Sequence, residues 1–256
     1  HFKEIIQSFK SKGLVDDNKV ICSITSQGST FVFLDENFRP VIEPVSWMKN
    51  ADQETVKSID SVFSSQEFYK MTGWQPDPWL AVFKIKELLN EKGLLEKLKY
   101  VSTVPEYIHA QLSGDFVTDL TNAQITGICN FKNGNWNPAI LDWLGLKSSS
   151  LPEISTQNEI IIEQADVFGV NISLTTSSHD QYAAIQAAGL RNKEDILLGT
   201  GTAWVINGIS DEPVYDQNYF TIHPGRDIIN DRYGYIMLLG PIGSEFDKML
   251  VDMNID

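Results

Sequence analysis

Apolar residues recur at helical spacing in several stretches of this chain of 256 residues. Phe2, Ile5, Ile6 and Phe9 form one such stripe, and Gly13 ends it, so a helix is predicted over residues 2–12. The same spacing of apolar residues, with charged residues between them, predicts a helix over residues 78–90. Further helices are predicted over residues 106–112, 122–128, 136–144 and 181–188.

Short apolar runs bounded by polar or glycine-containing segments predict the strands. Near the start of the chain, residues 20–25, 30–34 and 41–47 are expected to form a small three-stranded meander. Later strands are predicted over residues 160–162, 170–174, 196–198 and 203–206. Strands and helices mixed in this order predict an α/β architecture.

Composition and charge narrow the classes of function. Hydrophobic residues make up 42% and charged residues 21% of the chain, which is typical of a globular protein. The net charge of -14 would repel a phosphate backbone, so we expect no nucleic-acid partner. No apolar run approaches the ~20 residues of a membrane-spanning helix. Cys22 and Cys129 have no metal-ligand spacing, and without a signal peptide we expect a cytoplasmic protein.

The segment Ser177–Gln181 is the strongest candidate for catalytic chemistry, because it joins a predicted strand to an alanine-rich helix. A carboxylate at the carboxyl end of a strand in an α/β sheet projects into the crevice where such folds bind ligands. Asp180 is therefore a candidate catalytic residue. The alternative is that Asp180 only caps the helix that follows it.

A second candidate is the turn Gly199-Thr200-Gly201-Thr202 between two apolar strands. Glycines let a backbone approach a phosphate closely, and threonine supplies hydroxyl and amide donors without bulk. The alternative is a plain hairpin turn. The segment is not a Walker loop, because no lysine follows and no helix begins after it.

A third candidate is Thr25–Gly28, where a strand ends in small polar residues that could bind hydroxyl groups. Trp47 ends the next extended segment and could stack on the apolar face of a sugar ring, although a core or rim aromatic is the alternative. His109 falls within a predicted helix, and we assign it a structural or surface role.

Taken in order, these segments resemble the FGGY family of carbohydrate kinases. The run Ile24–Gly28 through Leu34-Asp35, followed by Pro44 and Trp47, is similar to the substrate loop of that family. Similar family signatures continue along almost the whole chain, at Val104–Ile108, Leu112–Gly114, Thr118-Asp119, Thr121–Ala123, Leu151–Glu153, Ser178–Ala184 and Gly199–Thr202.

The resemblance implies a fold of two actin-like (ribonuclease H-like) domains around a cleft. Residues 1–190 would form most of a sugar-binding domain that lacks its first strands, and residues 191–256 the start of an ATP-binding domain. The implied activity is ATP- and Mg²⁺-dependent phosphorylation of a small sugar or polyol, and a homodimer is compatible with it. Asp180 would be the general base. The implied binding residues are Gln27, Gly28, Trp47 and Gln181 for the sugar and Gly199, Thr200, Gly201 and Thr202 for the ATP phosphates.

Three departures from the family pattern keep other interpretations open. The Asp-x-Gly-Thr strand that opens the family is absent before His1, and the chain ends before the glycine-rich adenosine elements, so we expect a fragment of a longer protein. Lys49 and Ala51 stand where the family usually has Asp and Arg. A sugar-binding protein without phosphoryl transfer is the main alternative. A glycoside hydrolase is disfavoured because no motif supplies a second carboxylate to partner Asp180.

Overall fold

The computed structural model describes residues 2–15, 20–91, 94–155, 160–167, 169–176, 178–229 and 232–253. Ser177, which belongs to the segment predicted to carry the base, lies outside these residues. None of the described helices has both the length and the apolar character needed to cross a membrane.

Helices occupy much of the described chain, and several carry their own start and stop signals. Ser64 and Glu67 form a capping box before the third helix, and Gly73 ends it in the left-handed conformation at φ 81°. The helices are α1 (Phe2–Ser11), α2 (Gln53–Lys57), α3 (Ser65–Thr72), α4 (Ala81–Leu89), α5 (Leu94–Lys97), α6 (Val104–Ser113), α7 (Leu120–Ile125), α8 (Pro138–Leu144), α9 (Asp180–Ala188) and α10 (Ile242–Asp252).

The strands are short in the first half of the chain and longer in the second. They are β1 (Val20–Cys22), β2 (Thr25–Ser26), β3 (Phe31–Leu34), β4 (Tyr100–Thr103), β5 (Val117–Thr118), β6 (Cys129–Asn130), β7 (Asn135–Trp136), β8 (Glu153–Ile154), β9 (Ile160–Val167), β10 (Val170–Thr175), β11 (Ser178–His179), β12 (Ile196–Thr200), β13 (Trp204–Ser210), β14 (Ile222–Arg226) and β15 (Tyr233–Gly240).

Two parallel pairings tie the start of the chain to its middle. β1 lies parallel to β10, and β10 continues antiparallel to β9. β2 lies parallel to β11. The carboxyl ends of β2 and β11 therefore meet at one edge, where the structure can gather polar residues from distant parts of the sequence.

The largest apolar core lies beneath β3, β4 and helices α2, α3, α4 and α8. Phe33, Leu80 and Phe83 are fully buried there, and their burial is the main source of stability for this region. A second core forms where Tyr182 and Ile185 of α9 pack against the sheet β12-β13-β15-β14. The predicted domain boundary at residue 190 falls just after α9, although α9 packs on this second sheet. The boundary stays a prediction.

The second sheet contacts the first region through β14. The side-chain amide of Gln124 in α7 donates to the Arg226 carbonyl at 2.9 Å and accepts from the Arg226 amide at 2.8 Å. Trp74 stacks on His223 with ring centroids 4.2 Å apart. These contacts fix the edge of the second sheet against helix α7 and the segment after α3.

The predicted α/β architecture is confirmed, but the predicted meander is wrong. β3 pairs antiparallel with β4, whereas residues 41–47 contribute to β3 a single isolated bridge, between Val45 and Phe31. The helix predicted over residues 136–144 begins only at Pro138, because Asn135 and Trp136 form β7 and Asn137 caps the helix.

Candidate active site

The pairing of β2 with β11 brings two of the predicted segments together. Thr25 is opposite Ser178 and Ser26 is opposite His179, so Gln27 and Asp180 are the next residues at the same edge. Gly28 lies so close to this edge that an added Cβ would be 2.5 Å from Ile125 Cγ1 and 2.9 Å from His179 Cδ2. A side chain at position 28 would therefore displace the residue before the candidate base.

Asp180 is the first residue of α9, and His179 is the N-cap. The interpretation of Asp180 as the N-cap is therefore wrong, although a carboxylate in the first turn still interacts favourably with the helix dipole. The Asp180 side chain is 42% exposed, so its oxygens can reach a molecule bound outside the sheet edge.

His179 is buried beside this carboxylate. Its Nε2 lies 3.2 Å from Asp180 Oδ1. Burial lowers the pKa of His179, while the negative charge of Asp180 opposes that change. A neutral ring can donate a hydrogen bond from Nε2 to Asp180 and so orient the carboxylate.

Thr30 joins the predicted sugar-binding residues and was missed by the sequence analysis. Its buried Oγ1 accepts from Gln27 Nε2 at 3.4 Å and from the Trp47 amide at 3.0 Å. The Trp47 side chain is half-buried. The polar run after Gly28 was the only sequence signal that could have pointed to Thr30.

Lys84 was also missed, because it was noted only as one of the charged residues between the apolar positions of the predicted helix. Its side chain is only 2% exposed, and Nζ donates to the Ser29 carbonyl at 3.0 Å and the Ser46 carbonyl at 3.2 Å. Burial, with a smaller contribution from the charge of Lys49, lowers the pKa of Lys84 to about 8. Lys84 thus links the segments that carry Gly28 and Trp47.

The predicted phosphate-binding residues form the hairpin between β12 and β13, so the plain hairpin geometry is present. Gly199 faces Gln181, whose Oε1 would be 3.9 Å from a Cβ added at Gly199. Gln181 Oε1 also accepts from Asn207 Nδ2 of β13 at 3.1 Å. Gln181, the residue after Asp180, therefore connects the start of α9 to this hairpin.

The tip of the hairpin meets helix α10. The Ser244 amide donates to the Thr202 carbonyl at 3.3 Å, and a Cβ added at Gly243 would lie 2.1 Å from the Gly201 oxygen. The Cβ side of Gly201 faces open space, and Thr200 and Thr202 are exposed. Among the described residues, no hydrogen bond or ion pair joins Asp180 directly to the hairpin, and Gln181 is the link.

Buried polar residues at the start of α7 contact the segment that carries Asp180. Thr121 Oγ1 accepts from the His179 amide at 2.9 Å and donates to Asp119 Oδ2 at 2.6 Å. Asp119 caps α7 through the amides of Thr121 and Asn122. Burial raises the pKa of Asp119 to about 6, although these hydrogen bonds lower it in part.

The described residues do not fit a metal site by themselves. Within the described ranges, no group of three or more His, Cys, Asp or Glu side chains is placed to hold a metal ion. We therefore derive no step through Mg²⁺.

Sequence comparisons identify relatives over most of the chain. Residues 2–186 match the model of the N-terminal domain of the FGGY family of carbohydrate kinases. A rhamnulokinase from Pectobacterium atrosepticum is 26% identical over 81% of this chain and 42% of its own length. A glycerol kinase from Thermococcus kodakarensis is 28% identical over 86% of this chain and 45% of its own length. The chain thus spans less than half the length of these relatives.

Solved structures share the fold. A ligand-bound xylulose kinase from Lactobacillus acidophilus superposes with a TM-score of 0.86 at 22% identity, over 100% of this chain and 53% of its own. A glycerol kinase from Plasmodium falciparum, solved with ADP, gives a TM-score of 0.81 at 19% identity, over 93% of this chain and 50% of its own.

Proposed function

The chain belongs to the FGGY family of carbohydrate kinases, and from this premise we propose that the protein transfers a phosphoryl group from ATP to a hydroxyl of a small sugar or polyol, with Asp180 as general base. Gln27, Gly28, Trp47 and Gln181 would bind the sugar. Gly199, Thr200, Gly201 and Thr202 would bind the ATP phosphates. The proposal includes a cytoplasmic setting and is compatible with a homodimer.

The observation that carries this proposal is the position of Asp180 between two candidate binding segments. The β2-β11 pairing puts it beside Gln27 and Gly28. Its neighbour Gln181 accepts a hydrogen bond from Asn207 of β13 and lies on the side of Gly199 where a Cβ would point. An exposed carboxylate between a hydroxyl-binding segment and a glycine-threonine hairpin is the arrangement that phosphoryl transfer to an alcohol requires.

The chemistry follows from the properties of the two reactants. A sugar hydroxyl is a weak nucleophile, and Asp180 would accept its proton as the oxygen bonds to the γ-phosphorus and the bond to the ADP oxygen breaks. The amides of residues 199–202 would bind phosphate oxygens. Mg²⁺, when bound with ATP, supplies neutralisation of phosphate charge.

The experiment that tests the proposal is a coupled ADP-release assay on the full-length protein that contains this chain. The substrates are pentoses, pentuloses and polyols, with xylulose and glycerol among them, together with the deoxyhexulose rhamnulose. These three compounds are suggested by the names of the relatives. Turnover with one of them supports the proposal. Thermal stabilisation by a sugar but not by Mg·ATP, without turnover, would favour a sugar-binding protein that lacks transfer.

Replacing Trp47 with alanine is expected to raise the KM for the sugar about tenfold, equivalent to about 1.4 kcal/mol of binding free energy. The reason is the loss of an aromatic surface next to Gln27, since the Thr30 hydroxyl accepts hydrogen bonds from both the Gln27 side chain and the Trp47 amide. Steady-state kinetics with the sugar identified in the screen would measure it. Trp47→Phe, which retains a ring, should keep most of the affinity, and an unchanged KM in Trp47→Ala would exclude Trp47 from the sugar site.

A carboxylated or phosphorylated sugar is a second substrate class, favoured by the charges near Trp47. Lys49, two residues after Trp47, is exposed. Its positive charge contributes to the lowered pKa of Lys84. Among the described residues, Lys84 has no ion-pair partner. Lys49→Ala is expected to raise the KM for a sugar acid by about threefold to fivefold, the range of an exposed charge pair, and added salt should mimic it. Lys57→Ala, at the exposed end of α2, is the control. Equal effects of the two variants would contradict a role for Lys49.

A further inference from the structure

Helix α7 contacts three separate parts of the candidate site. Thr121 near its start accepts a hydrogen bond from the His179 amide. Ile125 at its end lies under Gly28, and the Ile125 carbonyl accepts from Ser29 Oγ at 3.2 Å. Gln124 exchanges two hydrogen bonds with Arg226 of the second sheet. A six-residue helix thus touches the segment of the base, the segment of the sugar loop and the second sheet.

The Thr121 hydroxyl has a defined direction. It is fully buried, and its single proton is donated to Asp119 Oδ2 at 2.6 Å. Because an ionised carboxylate only accepts, the hydroxyl must present a lone pair to the His179 amide, 2.9 Å away. Asp119 in turn is held by the Thr121 and Asn122 amides, so it cannot rotate without losing the helix cap.

Strand β11 has little other support at this point. It is two residues long, and its described sheet partner is the two-residue β2. The His179 amide belongs to the residue directly before Asp180, so its position constrains where the carboxylate leaves the sheet edge. A hydrogen bond from this amide to a fully buried hydroxyl is therefore well placed to fix the base to within the tolerance that proton transfer needs.

We infer that Thr121 is a positioning residue for phosphoryl transfer, which holds the backbone before Asp180 and, through α7, fixes the base relative to the sugar loop. This inference rests on the proposed function of Asp180. Thr121 touches neither reactant. It acts through His179, and Asp119 acts through Thr121.

The test uses Thr121→Val, which keeps the shape and removes the hydroxyl, in the full-length protein. The expected result is a fall in kcat of about 10- to 100-fold, the effect of a small misplacement of a catalytic group, with the KM for the sugar little changed. Thr121→Ser, which restores a hydroxyl, should recover most of the kcat. Loss of kcat in Thr121→Val without recovery in Thr121→Ser would overturn the inference.

The matched control is Thr126→Val. Thr126 is also a buried threonine of the α7 region, and its hydroxyl donates to the Ala123 carbonyl at 2.7 Å and accepts from the Ile128 amide at 3.1 Å, away from His179. It should cost comparable stability and leave kcat unchanged. Equal losses of kcat in both valine variants would mean that general destabilisation, and not the bond to His179, is responsible.

Hydrogen exchange at the His179 amide separates this inference from the proposed function. Thr121→Val should speed exchange there, because the amide loses its acceptor, and Thr126→Val should not. Faster exchange with a wild-type kcat would overturn the positioning role while the kinase proposal stands. A wild-type protein that turns over no sugar in the same assay would overturn both.

Discussion

Replacing Asp180 with asparagine should lower kcat by about 10²- to 10⁴-fold, the contribution typical of a positioned general base. Asparagine has almost the same shape and cannot accept the hydroxyl proton. Because the Asp180 side chain is partly exposed, the substitution leaves no buried cavity and should change stability little. The measurement is ADP release at saturating sugar and ATP, together with a thermal denaturation curve of the same preparation.

The control for this variant is Asp142→Asn, which removes an exposed carboxylate from α8 on the surface of the first core. It should leave both kcat and thermal stability at the wild-type values. Wild-type turnover in Asp180→Asn would remove the general base from the mechanism.

Local signals in the sequence predicted several elements well. Pro105 in the first turn and Gly114 after the last turn correctly placed the helix α6, and Gly114 adopts φ 82°. The hairpin at residues 199–202 was equally predictable, because two apolar runs flank a short glycine-containing turn. In each case the determining residues lie within a few positions of the element that they specify.

The same local signals do not predict which strands pair when the strands are far apart in the sequence. The apolar run in residues 30–34 indicates a strand but not its partner, and β3 pairs with residues 100–103 instead of its neighbour in sequence. The contact between β2 and β11 has the same character, because residues 25–26 meet residues 178–179. The polar segments could therefore be identified from sequence, but only the fold brings them to one edge.

The roles of Thr121 and Lys84 depend on such long-range contacts. Thr121 lies in a motif that carries the family resemblance, yet its acceptor role toward His179 needs the packing of α7 on β11. Lys84 lies between Phe83 and Ile85 in an apolar helix, and only the carbonyls of Ser29 and Ser46 explain its burial. A charged residue within an apolar helical run is the one signal that could have identified it.

Replacing Lys84 with methionine should change how stability depends on pH. The pKa of Lys84 is about 8 in the folded protein, below the ordinary lysine value of 10.5, because burial disfavours the charged form. The folded state therefore binds fewer protons than the unfolded state between these values, and the wild-type free energy of unfolding should rise with pH across that window. The expected rise from Lys84 alone is about 3 kcal/mol.

Urea denaturation of wild type and Lys84→Met at several values between about pH 7 and about pH 10.5 measures this effect. Groups common to both proteins cancel in the difference, so the two curves should diverge as pH rises, with the wild type gaining. The control is Lys86→Met on the same helix, where Nζ donates to the Trp143 carbonyl. It shows how the free energy of unfolding changes when another lysine with a backbone acceptor is replaced by methionine. Parallel curves for wild type and Lys84→Met would show that Lys84 titrates alike in both states.

The same variant separates the charge of Lys84 from its hydrogen bonds. A neutral amine still has two N–H donors, enough for the Ser29 and Ser46 carbonyls, so raising the pH should leave the two loops joined. Methionine fills the volume but donates nothing, which removes the lysine donor from the buried Ser29 carbonyl and leaves the Ser46 carbonyl with the Lys49 amide alone. The Trp47 segment is then no longer joined to the Gly28 segment through this side chain. Lys84→Met should therefore raise the KM for the sugar at every pH, whereas deprotonation of the wild-type lysine should not.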